Sequence, residues 1–393
     1  MRLVALPFLL LPSLATAQTS SVACGGDFAS FLDGLRAEAR AEGIPDQTID
    51  RFLSGARLDQ RTLNADRRQG VFQIPFVDFA RRLISADRIR RGAANADRFD
   101  AILDRAEADY GVPRGILLAF WAFEADYGAV QGDFLTRDSL VTLAHDCRRP
   151  ELFRPQVIAA MKLTAQGDFD PNRTTGAWAG EIGQVQMLPG DILERGTDGD
   201  GDGVVDLKGS AEDALISGAR LLSELGWRAN EPWLIEVDMP VGFDWSQSGL
   251  DVTKPAAEWL AQGLAPRWGT VPPDLPASVI APQGRTGPVF LAFPNFQVLF
   301  EWNESFVYVT TAAYFAGRLS SAPVFRADGA TAGLDAGQME RLQRALVARG
   351  HDVGSVDGIL GRNTRRAVRQ EQARLGLAPD GWPTPQLLTA LGG

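Results

Sequence analysis

The chain has 393 residues, 45% of them hydrophobic, and a formal net charge of −10, enough material for one large folded domain and a smaller one. The acidic balance argues against nucleic acid as the main partner, since phosphate backbones are held by net positive surfaces. Beyond the first residues, no stretch approaches the roughly 20 apolar residues of a membrane helix, so no transmembrane segment is expected.

The first residues read as an export signal. Arg2 supplies the positive start, Leu3 to Leu14 form a short apolar stretch, and Ala15-Thr-Ala17 gives a small-x-small cleavage pattern. Residues 1–17 are therefore expected to be removed, leaving a periplasmic chain that starts at Gln18. Attachment to the outer membrane through a lipid on Cys24 is the less favoured reading, because Ser21 stands where a lipid-attachment box wants an aliphatic residue. Cys24 and Cys147 are the two cysteines, and an oxidising compartment favours their pairing as a disulfide. Such a bond closes a loop of 123 residues between positions 24 and 147, to which the chain-entropy model assigns about 4–5 kcal/mol.

From Asp27 to about Arg105 the spacing of Phe28, Phe31, Leu32 and Leu35, and of Phe76, Phe79, Leu83 and Ile84, predicts a helical region. A further helix runs from Pro113 to a stop at Gly128. Ile116, Leu117, Leu118, Phe120, Trp121 and Phe123 leave it almost no polar face, which is how a core helix reads. Near its C-terminal end stands Glu124. Desolvation and the negative end of the helix dipole both disfavour its carboxylate, giving an acid suited to protonating a leaving group near neutral pH. A partly exposed glutamate at a frayed helix end is the competing reading.

An irregular stretch with Pro150 and Pro155 follows, then a helix at Val157 to Leu163. Gly176 to Gly190 reads as a loop leading into and out of a short helix. Asp198-Gly-Asp-Gly-Asp-Gly-Val-Val-Asp206 then places acids at positions one, three, five and nine of an EF-hand-like loop, with Gly203 at the turn and the Val204 carbonyl at the seventh. Gly209 occupies the twelfth position, so the usual bidentate Glu is missing there. Without an ion, four acids in nine residues would repel one another. The amphipathic stretch Ala211 to Leu225 predicts a helix, and Asn230 to about Pro294 is proline-rich with short strands such as Trp233 to Val237. A helix at about Asn303 to Leu319 closes this region. Residues 320–335 read as a linker, and 336–393 as a compact unit with helices at Met339 to Arg349, Asn363 to Leu375 and Pro385 to Leu391.

Glu124, the run Gly183-Gln-Val-Gln-Met-Leu-Pro189, the Asp198–Asp206 run and Trp302-Asn-Glu-Ser305 occur in one order and spacing, and together they resemble the lytic murein transglycosylase B family over about residues 27 to 319. The resemblance implies a mainly α, α+β class: a lysozyme-like catalytic domain at 18–319 with a helical N-terminal region and small strands. It implies cleavage of the β-1,4 bond between N-acetylmuramic acid and N-acetylglucosamine of peptidoglycan glycan strands, leaving 1,6-anhydromuramoyl ends, with Glu124 as the single acid and base. No cofactor is implied for catalysis. A structural Ca²⁺ is implied on Asp198, Asp200, Asp202, Val204 and Asp206, with a later acid from the next helix, which falls on Asp213, with Glu212 as the alternative.

The resemblance carries further residues. Gln186 falls where an amide lines the sugar groove, Arg148 and Arg149 where a basic pair holds substrate carboxylates, and Tyr127 beside the glutamate motif; Trp302 and Asn303 match an aromatic followed by Asn. Bracing of a loop by Gln186, and a solvated pair at Arg148 and Arg149, are the structural alternatives. Ala177 departs from an expected hydroxyl residue. Glu181 stands where a small residue is usual, either turned to solvent or close enough to Glu124 to raise its pKa or activate water. That last possibility keeps a hydrolytic muramidase as the alternative enzyme, with a non-enzymatic peptidoglycan-binding protein as the third reading.

Gln338 to Leu391 resembles the small three-helix peptidoglycan-binding domain through Leu342-Gln343, Leu346, Gly350, Val356-Asp357-Gly358-Ile359-Leu360-Gly361, Thr364, Ala367-Val368, Gln372 and Asp380-Gly381. Glu371 departs from the aromatic that commonly precedes the Gln. A monomer is expected.

Overall fold

Six short helices open the computed structural model, which describes residues 23–67 and 74–393. They are α1 (Phe28–Ala41), α2 (Asp46–Leu53), α3 (Gln60–Asp66), α4 (Phe76–Leu83), α5 (Ala86–Arg98) and α6 (Asp100–Tyr110). The export signal falls outside the described residues. Helix α1 begins where the side chain of Asp27 accepts the Ser30 amide at 2.9 Å. Just before it, Cys24 is disulfide-bonded to Cys147. A sulfur used in that bond has no valence left for a thioether lipid. No helix among the described residues is long and apolar enough to cross a membrane.

The middle of the chain forms α7 (Arg114–Ala125), β1 (Phe134–Leu135), α8 (Thr136–His145), α9 (Pro150–Gln166), β2 (Thr175–Gly176), α10 (Pro189–Arg195) and α11 (Ala211–Glu224). The predicted irregular stretch at Pro150 is instead the start of α9. Pro150 suits the first helical turn, and Pro155 lies one turn in, so its ring removes a single helical hydrogen bond without breaking the helix.

Five short strands then make one antiparallel sheet, β3 (Leu234–Asp238), β4 (Lys254–Pro255), β5 (Ala265–Pro266), β6 (Pro276–Ile280) and β7 (Phe290–Ala292), in the order β4-β6-β7-β3-β5. Pro255 and Pro266 sit in the two edge strands, where a missing amide breaks no ladder. Helix α12 (Ala256–Ala261) packs Trp259 beneath the sheet, with its indole donating to the Ala277 carbonyl at 2.8 Å.

The helix expected at about Asn303 to Leu319 is α14 (Phe306–Leu319), and a helix that was not expected, α13 (Pro294–Trp302), precedes it. Asn303 turns extended, its side chain accepts the Ser305 amide at 2.9 Å, and Ser305 in turn caps α14. A short polar cap therefore separates the two helices.

Besides the core beneath the sheet, two larger apolar cores fill this region. One surrounds α7 and α14, the other α8 and α9, and Leu225 and Trp302 pack against both. The candidate cleft lies along that seam.

Residues 320–335 lack regular structure yet do not behave as a spacer. Phe325 and Leu334 are buried, the Phe325 amide donates to the Tyr314 hydroxyl at 3.1 Å, and the Arg326 amide donates to Glu236 at 2.9 Å. The segment is a strap along the sheet. Beyond it, α15 (Ala336–Val347), α16 (Arg362–Arg374) and α17 (Pro385–Ala390) enclose a core of Leu342, Leu346, Val368 and Leu387. Glu371 replaces an aromatic by an ion-pair cluster, bonding His351 at 2.8 Å and Arg374 at 2.7 Å.

The small unit is docked against the larger region. Buried Arg365 donates to the Pro282 carbonyl at 2.7 Å and stacks over Phe306, while Arg369 pairs with Asp251 at 3.2 Å.

Candidate active site

Helix α7 is buried along nearly its whole length and ends abruptly: Asp126, Tyr127 and Gly128 all take positive φ, at 50°, 60° and 85°. Two consecutive non-glycine residues in that region are strained. Arg88 and Arg91, both bonded to the Asp126 carboxylate, hold the turn. A side chain at Gly128 would collide with the Gln184 amide, so the stop expected there has a packing cause as well. The abrupt end leaves Glu124 on the last turn, half-buried and facing a cleft.

That cleft is a cavity of about 440 Å³ lined by Glu124, Ala177, Trp178, Glu181, Gln186, Leu188, Trp302 and Asn303, among others. A second cavity of about 740 Å³ shares Trp178, Glu181, Leu188, Trp302 and Asn303 with it and continues past Arg149 and Phe153 to Asp357 and Ile359 of the small unit. Sharing these residues, the two cavities form one continuous groove.

Burial raises the Glu124 pKa from 4.5 to about 7, with hydrogen bonds from Tyr308 and Trp302 opposing and the nearby Glu181 charge adding to it. The Trp302 indole donates to Oε1 of Glu124 at 3.0 Å, and the Tyr308 hydroxyl donates to the same Oε1. Tyr308 titrates well above the ordinary phenol value, chiefly through burial, so it remains a donor. With Oε1 already accepting two bonds, the proton of the acid form belongs on Oε2. This is a side chain that can give up one proton and take another near neutral pH.

The other expected residues divide. Trp302 and Asn303 line the groove, but the Trp302 indole is spent on Glu124 and the Asn303 side chain on its own turn. Gln186 lines the first cavity with φ +52°, and its amide donates to the Gly183 carbonyl at 2.6 Å, so loop bracing is its observed contact. Arg148 and Arg149 both bond the buried carboxylate of Asp66, and of the two only Arg149 lines the groove. Tyr127 is a correction: it lines neither cavity, its hydroxyl donates to the Arg88 carbonyl at 2.9 Å, and its ring packs edge-on against Trp121. Glu181 faces the groove, half-buried and with its Oε2 covered, against the solvent-turned reading.

Sequence reasoning missed Tyr308, Gln184 and Asp66. Gln184 accepts the Trp121 indole at 2.9 Å and donates to the Lys208 carbonyl, locking the loop to α7. Each reads in sequence as ordinary, since its partner lies far along the chain.

In the Asp/Gly loop, carboxylate oxygens of Asp198, Asp200 and Asp202 lie within 4.8 Å of one another. Asp206 and Asp213 of the expected ligand set lie outside that group of three. Asp206 accepts the amides of Lys208 and Gly209, and Asp213 accepts those of Gly199 and Asp206, both at 2.7 Å. Asp213 thus laces the loop to α11. Three converging hard oxygens on a braced loop fit a divalent cation of the calcium type.

Comparison with known proteins follows the same architecture. The family described as the transglycosylase SLT domain matches residues 27–317, and a peptidoglycan binding domain matches residues 335–391. The chain is 25% identical over 323 residues to the membrane-bound lytic murein transglycosylase B of Escherichia coli strain K12, covering 77% of this chain and 85% of the relative. Among solved structures, SltB3 from Pseudomonas aeruginosa in complex with NAG-anhNAM-pentapeptide superposes with a TM-score of 0.85 at 37% identity, covering 94% of this chain and all of that one. The Escherichia coli lytic transglycosylase Slt35 in complex with calcium shares the fold, with a TM-score of 0.65 at 23% identity over 77% of this chain and 97% of that one.

Proposed function

Since the chain belongs to the transglycosylase SLT domain family and is a peptidoglycan lytic transglycosylase, we propose that Glu124 alone performs both proton transfers of its reaction. The observation that carries this reading is a half-buried carboxyl poised near neutrality, with both protein donors on one oxygen. As the acid, Glu124 protonates the glycosidic oxygen leaving C1 of the muramoyl sugar through Oε2. The muramoyl acetamido oxygen stabilises the positive charge developing at C1, which removes the need for a protein nucleophile. The Trp302 and Tyr308 donors stabilise the carboxylate as it forms. That carboxylate then takes the proton of the C6 hydroxyl as its oxygen attacks C1, closing the 1,6-anhydro ring without adding water. The usual pair of acids in glycoside hydrolysis is replaced by one residue used twice.

Trp178, Gln186, Arg149, Trp302 and Asn303 are the groove residues that contact the glycan in this reading. Arg148 buttresses Arg149 through Asp66. The unit at 336–393 holds the polymer and extends the groove. Asp198, Asp200 and Asp202 hold a structural Ca²⁺, which stiffens the loop between α10 and α11 and takes no part in turnover. A periplasmic site of action, after export, accords with the Cys24–Cys147 bond and a cell-wall substrate.

The test is Glu124→Gln, which keeps size and both incoming hydrogen bonds but has no proton to give. Turnover of purified sacculi should be lost while retention on them persists. Near wild-type turnover by this variant would remove the assignment.

A further inference from the structure

The two cavities meet at Trp178, Glu181, Leu188, Trp302 and Asn303, a waist that any glycan threading the groove must cross. Glu181 is the one ionisable group of these five, and it stands within electrostatic reach of Glu124. Its Oε2 is buried yet has no hydrogen-bond partner among the described residues. A buried acceptor with no donor costs about 1–3 kcal/mol of stability, and its place at a groove wall lets a bound ligand supply the donor.

The chemistry of the substrate narrows that donor. In a muramoyl unit inside a glycan strand, O1 and O4 are glycosidic and O3 carries the lactyl ether. The ring substituents therefore offer two donors, the C6 hydroxyl and the acetamido N–H. On the reading above, the C6 hydroxyl belongs to Glu124, which leaves the acetamido N–H.

We propose that Glu181 is a second substrate-contacting carboxyl, whose unpartnered oxygen accepts the acetamido N–H of the muramoyl sugar held at Glu124. The bond fixes the acetamide so that its oxygen faces C1. As the C1–O bond to the leaving sugar breaks, taking the Glu124 proton onto the leaving oxygen, the acetamido oxygen bonds to C1 and positive charge spreads onto nitrogen. The N–H becomes a stronger donor and stays on nitrogen. The C6 oxygen then bonds to C1, the acetamido oxygen departs, and the C6 proton passes to Glu124. Burial raises the Glu181 pKa, and the amides of Glu181 itself and Ala179 and the charge of Arg149 oppose part of that rise; a carboxyl keeps acceptor capacity in either protonation state. Because the contact strengthens as the reaction proceeds, it acts on kcat more than on KM.

The proposal rests on the transglycosylase reading, and one set of digests separates the two. Wild type, Glu181→Ala and Glu181→Gln are compared on soluble peptide-bearing glycan strands for kcat, KM, product ends and thermal midpoint. Glu181→Ala should lower kcat about 100-fold with KM within about threefold, and Glu181→Gln, which keeps a neutral acceptor oxygen, about tenfold. Both should melt at or above wild type, since the orphaned charge is gone. A kcat within twofold of wild type in Glu181→Ala overturns the proposal, as does a change confined to KM. A lowered midpoint in Glu181→Ala, with Glu181→Gln restoring full kcat, would assign Glu181 a structural role and also overturn it. Should Glu181→Ala fail to fold, full kcat in Glu181→Gln decides against the proposal. Reducing ends in the wild-type digest would instead defeat the reaction premise itself.

Discussion

Tyr308 donates its phenolic hydrogen to Oε1 of Glu124, the same oxygen that accepts the Trp302 indole. One oxygen is thereby committed to the protein and the other left to the chemistry. The arrangement also sets a balance, since burial pushes the acid up to about 7 while the two donors pull it down.

Removing one donor should tip that balance. Tyr308→Phe takes away a bond that favours the charged form, so the Glu124 pKa rises further. The alkaline limb of the pH–rate profile should move to higher pH, while the maximal rate falls about tenfold, in line with the loss of one charge-assisted hydrogen bond. An unshifted alkaline limb would show that Tyr308 does not act on Glu124.

The same pKa predicts a pH-dependent stability. Glu124 titrates near 7 in the folded chain and near 4.5 unfolded, so its protonated form is the better accommodated one. That contribution is fully present below about 4.5 and lost as pH rises through 7, about 3 kcal/mol in all. Glu124→Gln, which cannot ionise, should therefore melt a few degrees above wild type at pH 8 and close to it at pH 4.5. Equal midpoints at pH 8 would mean that Glu124 is not desolvated.

Calcium should act on the loop between α10 and α11 as a stabiliser. A ligand at a hundredfold over its Kd adds about 2.7 kcal/mol, so millimolar Ca²⁺ should raise the thermal midpoint and a chelator should reverse the gain. The double substitution Asp200→Asn and Asp202→Asn should abolish the response. A response that survives these changes would place the ion elsewhere.

Asp66 is 1% exposed and bonds both Arg148 and Arg149. Asp66→Ala strands the Arg149 guanidinium at the groove wall, removes a carboxylate partner of Arg148 behind it, and should cost about 2–4 kcal/mol of stability. Sacculus turnover should fall with it, because Arg149 loses its anchor. Unchanged melting would show that the pair is held by other contacts.

Helix α7 and its buried face were legible in the sequence because an almost unbroken apolar run between Pro113 and Gly128 admits few other structures. The position of Glu124 at the end of that run, and the direction of its pKa shift, followed from the same pattern. Tyr308 was not legible. It sits in a helix whose aromatics read as core, and its partner lies 184 residues away. Tyr127 misled for the related reason that adjacency in sequence to Glu124 is undone by the left-handed turn between them. The 320–335 segment looked like a spacer because it is poor in large apolar residues. Phe325, packed on Phe76 and Tyr314, and Leu334, in the core of the small unit, suffice to strap it down, and those partners are not adjacent in the sequence.

The central claim is that one carboxyl cleaves the glycan by ring closure, with no water entering the product. Digestion of sacculi in ¹⁸O-labelled water, followed by mass spectrometry of the muropeptides, tests it most directly. The account predicts anhydromuramoyl ends, lighter than reducing ends by one water and free of label. Reducing ends carrying ¹⁸O would contradict it.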